Sequence, residues 1–318
     1  MTAVSLEVTP PHAPGTIWRL SADLYLPPGE PPRTVQLLLP GLTYDRRYWT
    51  APGTAGYVRH AVAEGYAVLA LDRPGTGASE HPPADECSVE ANVEAVHQVI
   101  RTLRTGTAEI PAFSYVVAVG HSLGSGIALL DAARHHDLDA LVLTSLVHAF
   151  GPLYPEAAPA LHPASGDPVL GPTAFPENYL TTKPGLRSRL YEHEGGVDPE
   201  LSAYHEETKS TVPLGEGLTM DAIYQPGPAA EVDVPVLLVA GQYDRLFGGG
   251  DLSTEQAGEV VAYEGKFYTA VPGLEAYVLP DAAHSLNVHR TAPRWYAAAH
   301  EWLARRLPQA APRRAVGN

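Results

Sequence analysis

Six short runs of nearly uninterrupted apolar residues punctuate the chain: Thr34–Leu39 (TVQLLL), Ala67–Leu71 (AVLAL), Tyr115–Val119 (YVVAV), Leu138–Leu146 (LDALVLTSL), Val234–Ala240 (VPVLLVA) and Leu274–Leu279 (LEAYVL). Runs this short, with no polar residue at every second place, predict strands buried on both faces, as in a parallel sheet covered by helices. Two earlier segments, Val4–Val8 and Thr16–Leu26, flank a Pro/Gly-rich stretch and predict an opening antiparallel hairpin. Helical periodicity fills the gaps. It covers 54–64, stopped by Gly65, and a stripe of Val93, Val96, Ile100 and Leu103 behind an N-cap at Ser88. It returns in Ile127–Ala133, in Ser253–Tyr263, and in Pro293–Arg306, which carries Trp295, Ala299, Trp302 and Leu303 on one side. Strands alternating with helices predict an α/β fold with a mostly parallel, twisted sheet and helices on both faces.

The texture changes after His148. Residues 151–232 hold 12 of the 31 prolines and show no strand-like apolar run. They carry 12 acidic residues against 4 basic ones, a net of −8, with tyrosines at 154, 179, 191, 204 and 224. This segment is expected to be a cap of short helices and loops inserted into a core made of 1–150 and 233–318. The tail after Leu307 is rich in Pro, Ala and Arg and is expected to fray.

Composition narrows the function. With 318 residues, 45% hydrophobic and 18% charged, the chain can bury one large core. Its net charge of −15 excludes nucleic acid as a partner, because phosphate contacts need clustered Lys and Arg. The lone cysteine, Cys87, allows neither an intrachain disulfide nor a Cys-based zinc site. The opening MTAVSLEVTPPHAPGT has no basic start and no apolar run, so no secretory signal is expected there. No segment approaches the roughly 20 apolar residues of a membrane span. A cytoplasmic protein acting on a small-molecule substrate is expected, without metal or cofactor, and association into a homodimer is left open.

The chemistry gathers at strand ends. The third apolar run passes through Gly120-His121-Ser122-Leu123-Gly124, a G-x-S-x-G, directly into a helical run. A tight strand-to-helix turn lifts the Ser122 hydroxyl clear of the sheet, next to the free N–H groups of a helix start. Asp244 lies just beyond VPVLLVA, and His284 just beyond LEAYVL. The glycine-rich turn Asp72-Arg73-Pro74-Gly75-Thr76-Gly77 has Glu80 where a dinucleotide fingerprint needs its third glycine.

This constellation resembles the α/β-hydrolase superfamily, in its serine esterase and thioesterase branches with an inserted cap. The resemblance covers the chain outside 151–232 and rests on the elbow, the Asp72 turn, and the acid and histidine loops in family order. It implies Ser122 as nucleophile, His284 as general base and Asp244 as the acid that orients it. Asp281 and Asp251 are weaker candidates for the acid. It implies an oxyanion hole of the backbone N–H groups of Leu42 and Leu123. The family often writes His-Gly where this chain has Pro40-Gly41. Tyr44, His121 and Tyr243 are candidate pocket-lining residues, whereas His135 and His136 read as the end of a helix. The expected activity is hydrolysis of a neutral, fairly hydrophobic ester, thioester or lactone. Carbon–carbon bond hydrolysis or acyl transfer by the same triad, and a binding protein without chemistry, are the alternatives.

Overall fold

The computed structural model describes residues 1–53 and 56–307. The start of the helix expected at 54–64 and the tail from 308 lie outside them. In chain order the first strands are β1 (Thr2–Val8), β2 (Trp18–Tyr25) and β3 (Thr34–Leu39). Helix α1 (Tyr57–Ala63), β4 (Ala67–Leu71), α2 (Val89–Thr105), β5 (Tyr115–His121), α3 (Leu123–His135) and β6 (Ala140–Thr144) follow. The chain then leaves the main sheet. It forms α4 (Tyr154–Ala157), β7 (Leu161–Pro163), β8 (Tyr179–Thr182), α5 (Leu186–Tyr191), α6 (Pro199–Glu207), β9 (Val212–Pro213), α7 (Leu214–Thr219) and α8 (Pro226–Glu231). It returns with β10 (Val236–Gly241), α9 (Ala257–Glu264), β11 (Leu274–Leu279) and α10 (Ala292–Arg306).

Eight strands form one sheet in the order β1-β2-β4-β3-β5-β6-β10-β11. The hairpin β1–β2 and the pair β2–β4 are antiparallel, and every other pair is parallel. The order doubles back around β3 and β4, so the strands run outward in both directions from β3. Every residue of β3, β4, β6 and β10 is buried, which requires cover on both faces. Helices α1 and α10 pack together as one cover, and α2, α3 and α8 pack together as another. Ser88 caps α2 by accepting the Ala91 N–H.

The insertion departs from expectation in one respect. It is not helices and loops alone, since β7, β8 and β9 form a three-stranded antiparallel sheet. Strands of two to four residues are shorter than the window in which periodicity can be read. The insertion packs onto loops that leave the carboxyl ends of the main strands. Thr43 after β3 meets Thr182 at 3.0 Å, and Gly75 after β4 accepts the Thr211 hydroxyl at 2.6 Å. Arg73 of the Asp72 turn pairs with Glu216 of α7, both fully buried.

Candidate active site

Ser122 sits between β5 and α3 with φ 51° and ψ −117°, a conformation that side chains strongly disfavour. The surroundings hold it there. Its N–H donates to the Thr144 carbonyl at 2.8 Å, and the Ser125 hydroxyl donates to the same carbonyl at 2.9 Å. A Cβ on Gly120 would collide with the Ser125 backbone, and one on Gly124 with the Leu39 and Pro40 carbonyls. Both glycines are therefore demanded by close approach rather than by flexibility. Gly41 is also close, where an added Cβ would stand 3.0 Å from the His121 carbonyl. The loop carrying Leu42 is thus pressed onto the elbow.

Asp244 and His284 come together from the turns after β10 and β11. His284 Nδ1 lies 2.9 Å from Asp244 Oδ2, with both residues buried. The other carboxylate oxygen accepts the N–H groups of Leu246 at 2.9 Å and Phe247 at 3.1 Å. Three hydrogen bonds fix the carboxylate, which in turn fixes the ring. Asp251, beyond the glycine run, and Asp281, in the histidine loop, make no such contact with His284 among the described residues.

Ser122 and His284 face one cavity of about 40 Å³. Leu42, Tyr44, Leu246 and Phe247 line it from the core, and Tyr154, Ala157, Tyr191, Met220 and Tyr224 from the insertion. No carboxylate and no Lys or Arg is among these residues. Over the cavity, Phe150 packs on Tyr154 and Tyr224 with ring centres 4.0 and 4.9 Å apart, and its ring reaches solvent. Leu123 opens α3, so its N–H has no acceptor within the helix.

Two residues read as pocket lining take other places. His121 is fully buried beneath the cavity, stacked on Tyr48 at 4.4 Å, with Nδ1 3.1 Å from the Thr144 hydroxyl. Burial and the neighbouring His284 hold its imidazole well below the ordinary range. Tyr243 stacks on His193 at 4.2 Å in a separate groove of about 880 Å³, on the far side of Asp244. Adjacent residues in an extended chain point to opposite sides, so nearness to a motif in sequence does not put a side chain in its pocket.

Sequence reasoning missed the contacts that hold this arrangement. The Ser145 hydroxyl donates to the His284 carbonyl at 2.7 Å, from a backbone with φ 52°. His289 clasps the same loop. Its Nε2 accepts the N–H groups of Ala283 at 3.1 Å and His193 at 3.0 Å, while Nδ1 donates to the Ser285 carbonyl at 2.9 Å. Backbone partners of fixed polarity settle this tautomer. Arg73 donates to the carbonyls of Pro40 and Gly41 at 2.9 and 3.1 Å and so braces the loop of Leu42. The Tyr44 hydroxyl lies 2.8 Å from His205 Nε2 and also meets Ser285, and Glu192 engages His205 Nδ1 at 2.6 Å. Arg187 lies 4.2 Å over the Tyr44 ring. Apart from Arg73, which stands in the Asp72 turn, none of these residues stands in a motif, and their contacts either reach far along the chain, as from Ser145 to His284 and from Tyr44 to His205, or are made to backbone atoms that no residue type announces.

A doubly covered, mostly parallel sheet with a strained serine at the central strand-to-helix turn, and an Asp–His pair on the last two strand ends, is the architecture of an α/β hydrolase. The model of the alpha/beta hydrolase family matches residues 36–299, and the chain belongs to that family. Among solved structures, a thermophilic esterase from Thermogutta terrifontis superposes with a TM-score of 0.65 at 19% identity, covering 95% of this chain and 98% of that one. An enol-lactonase from Burkholderia xenovorans gives 0.59 at 18% identity, over 94% and 99%. An esterase from Pyrococcus furiosus gives 0.59 at 16%, over 96% and 91%. At these identities the likeness is one of fold. No curated protein sequence matches the chain. Among the described residues no helix is long and apolar enough to cross a membrane.

Proposed function

We propose that the protein is a serine hydrolase that cleaves a neutral, fairly hydrophobic ester, thioester or lactone through an acyl-enzyme. The observation that carries this reading is the shared cavity of Ser122 and His284, with Asp244 2.9 Å behind the imidazole. In this reading Ser122 Oγ attacks the carbonyl carbon while its proton passes to His284 Nε2. Asp244 keeps the other ring proton on Nδ1 and stabilises the imidazolium. The oxyanion is received by the N–H groups of Leu42 and Leu123, which are positioned before the reaction and need no reorganisation. Collapse breaks the bond to the leaving oxygen or sulfur, which takes the proton from His284. Water then attacks the acyl-enzyme, giving its proton to His284, and the second collapse releases the acid and restores the Ser122 hydroxyl.

Substrate preference follows from the lining rather than from the charge of the insertion. The buried acids of 151–232 are already paired, Glu192 with His205, Asp167 with Lys209 and Glu216 with Arg73. The cavity wall itself is apolar and aromatic, which favours uncharged acyl groups. At about 40 Å³ it admits a few waters, whereas ligand pockets span roughly 300–1,000 Å³. Residues 151–232 therefore act as a cap that must shift, with the Phe150–Tyr154–Tyr224 cluster at its edge. The test is labelling by a fluorophosphonate probe together with hydrolysis of matched neutral and carboxylate-bearing esters. Ser122→Ala, correctly folded, should lose both labelling and hydrolysis, and wild type should prefer the neutral ester. Undiminished labelling of the variant would remove Ser122 as nucleophile, and a preference for the anionic ester would remove the substrate class.

A further inference from the structure

We propose that facing parts of α2 and α3, remote from the catalytic cavity, hold a divalent transition-metal ion between the imidazoles of His97 and His135 and the carboxylate of Asp131. One donor atom from each of these residues lies within 4.8 Å of the other two. A tetrahedral ion with donor distances of about 2.0–2.2 Å gathers such a set with small side-chain adjustments. Asp131 and His135 stand four positions apart on α3 and so share one helix face, which meets His97 on α2.

The carboxylate points to a ligand on its own account. Asp131 is fully buried, and among the described residues no N–H or hydroxyl group donates to either of its oxygens. The group against it is the Asp137 carboxylate, whose Oδ1 is also buried without a partner. A fully buried carboxylate set against a half-buried one needs something positive between or beside them. The Arg134 guanidinium, whose charge reaches Asp131, is already engaged by Glu90 and Glu94.

The imidazoles carry the partners expected around a metal. His97 Nδ1 is 2.7 Å from Asp137 Oδ2, and His135 Nε2 is 3.1 Å from Glu94 Oε1. Metal-bound histidines hand one ring N–H to a carboxylate in this way and keep the other nitrogen for the ion. The rings stack with centres 3.9 Å apart, so one ring must turn for both to reach a single ion. Imidazoles with a carboxylate select zinc and its neighbours over magnesium or calcium. The site lies roughly 12–18 Å along α3 from the elbow, so its effect is to tie α2 to α3 rather than to take part in hydrolysis.

The experiment titrates metal-depleted full-length protein with zinc chloride by isothermal calorimetry and follows thermal melting with zinc or with magnesium chloride. One zinc per chain is expected. The melting temperature should rise by about 4 °C at zinc a hundredfold above its dissociation constant. Magnesium should have no effect. Asp131→Asn, which keeps the shape, and His97→Gln, at a partly exposed position, should each weaken zinc binding about tenfold or more. Binding of zinc by Asp131→Asn as tightly as by wild type, or no stoichiometric binding by wild type, would overturn the proposal and assign the carboxyl pair to a shared proton.

Discussion

His289 makes the loop of the candidate base dependent on a neutral imidazole, and the dependence can be measured. Its Nε2 accepts two backbone N–H groups, so a proton there would turn both contacts into donor–donor repulsions. Burial pushes the His289 imidazole down from 6.5 to about 4. The folded form thus refuses a proton that the unfolded chain takes up. The stability this represents is complete above pH 6.5 and is lost as the pH falls through about 4. The full linkage is about 3 kcal/mol, of which about 2 kcal/mol falls between pH 7 and pH 5. His289→Gln supplies one acceptor and one donor but cannot titrate. It should be less stable than wild type at pH 7, with the gap closing by about 2 kcal/mol at pH 5. Urea unfolding followed by tryptophan fluorescence at both pH values gives the two differences. His121, His205 and His300 are also held below their ordinary range by burial, and their contributions cancel because both proteins carry them. Parallel loss of stability in the two proteins would refute the assignment of His289 as the neutral clasp.

Three other outcomes are expected. Asp244→Asn should lower kcat on the order of 10⁴-fold in a stopped ester assay, while Asp251→Asn should leave it nearly unchanged; equal losses would move the acid. Tyr224→Ala should raise kcat/KM for a bulky acyl ester about tenfold relative to acetate, measured as a ratio in one assay; an unchanged ratio would show that the cavity wall is not limiting. Arg73→Met should cost roughly 3–5 kcal/mol by leaving Glu216 buried and unpaired, and adding Glu216→Leu should recover part of it; strict additivity in urea unfolding would deny the coupling.

The centre of the main sheet was legible because its strands are buried on both faces. TVQLLL and AVLAL leave no other reading once glycine and proline bound them, and LEAYVL coincides with β11 residue for residue, although as the edge strand it is only partly buried rather than covered on both faces. The elbow was legible because its two glycines are required by contact with β3 and α3 rather than by local preference. The small sheet of the insertion was not, since Leu161–Pro163 and Val212–Pro213 are strands only by virtue of Tyr179–Thr182 lying between them. Helix α9 starts at Ala257 rather than Ser253, after a bridge between Gly249 and Leu252 that sequence spacing does not announce. Ser145 adopts a positive φ that no glycine signals, and His289 takes its importance from three backbone atoms. Such roles are fixed by tertiary approach, which a single sequence does not encode locally.

The buried pair of Arg73 and Glu216 bears on how freely the insertion could be exchanged. Arg73 belongs to the core and braces Pro40 and Gly41, while its counter-charge is supplied by α7. A transplant that replaced residues 151–232 with a foreign segment would strand a guanidinium in the interior unless the newcomer brought a carboxylate to the same spot. The boundary drawn by chain topology is thus not a boundary of charge neutrality, and the unit that can be inherited or swapped intact is the insertion together with the Asp72-Arg73 turn.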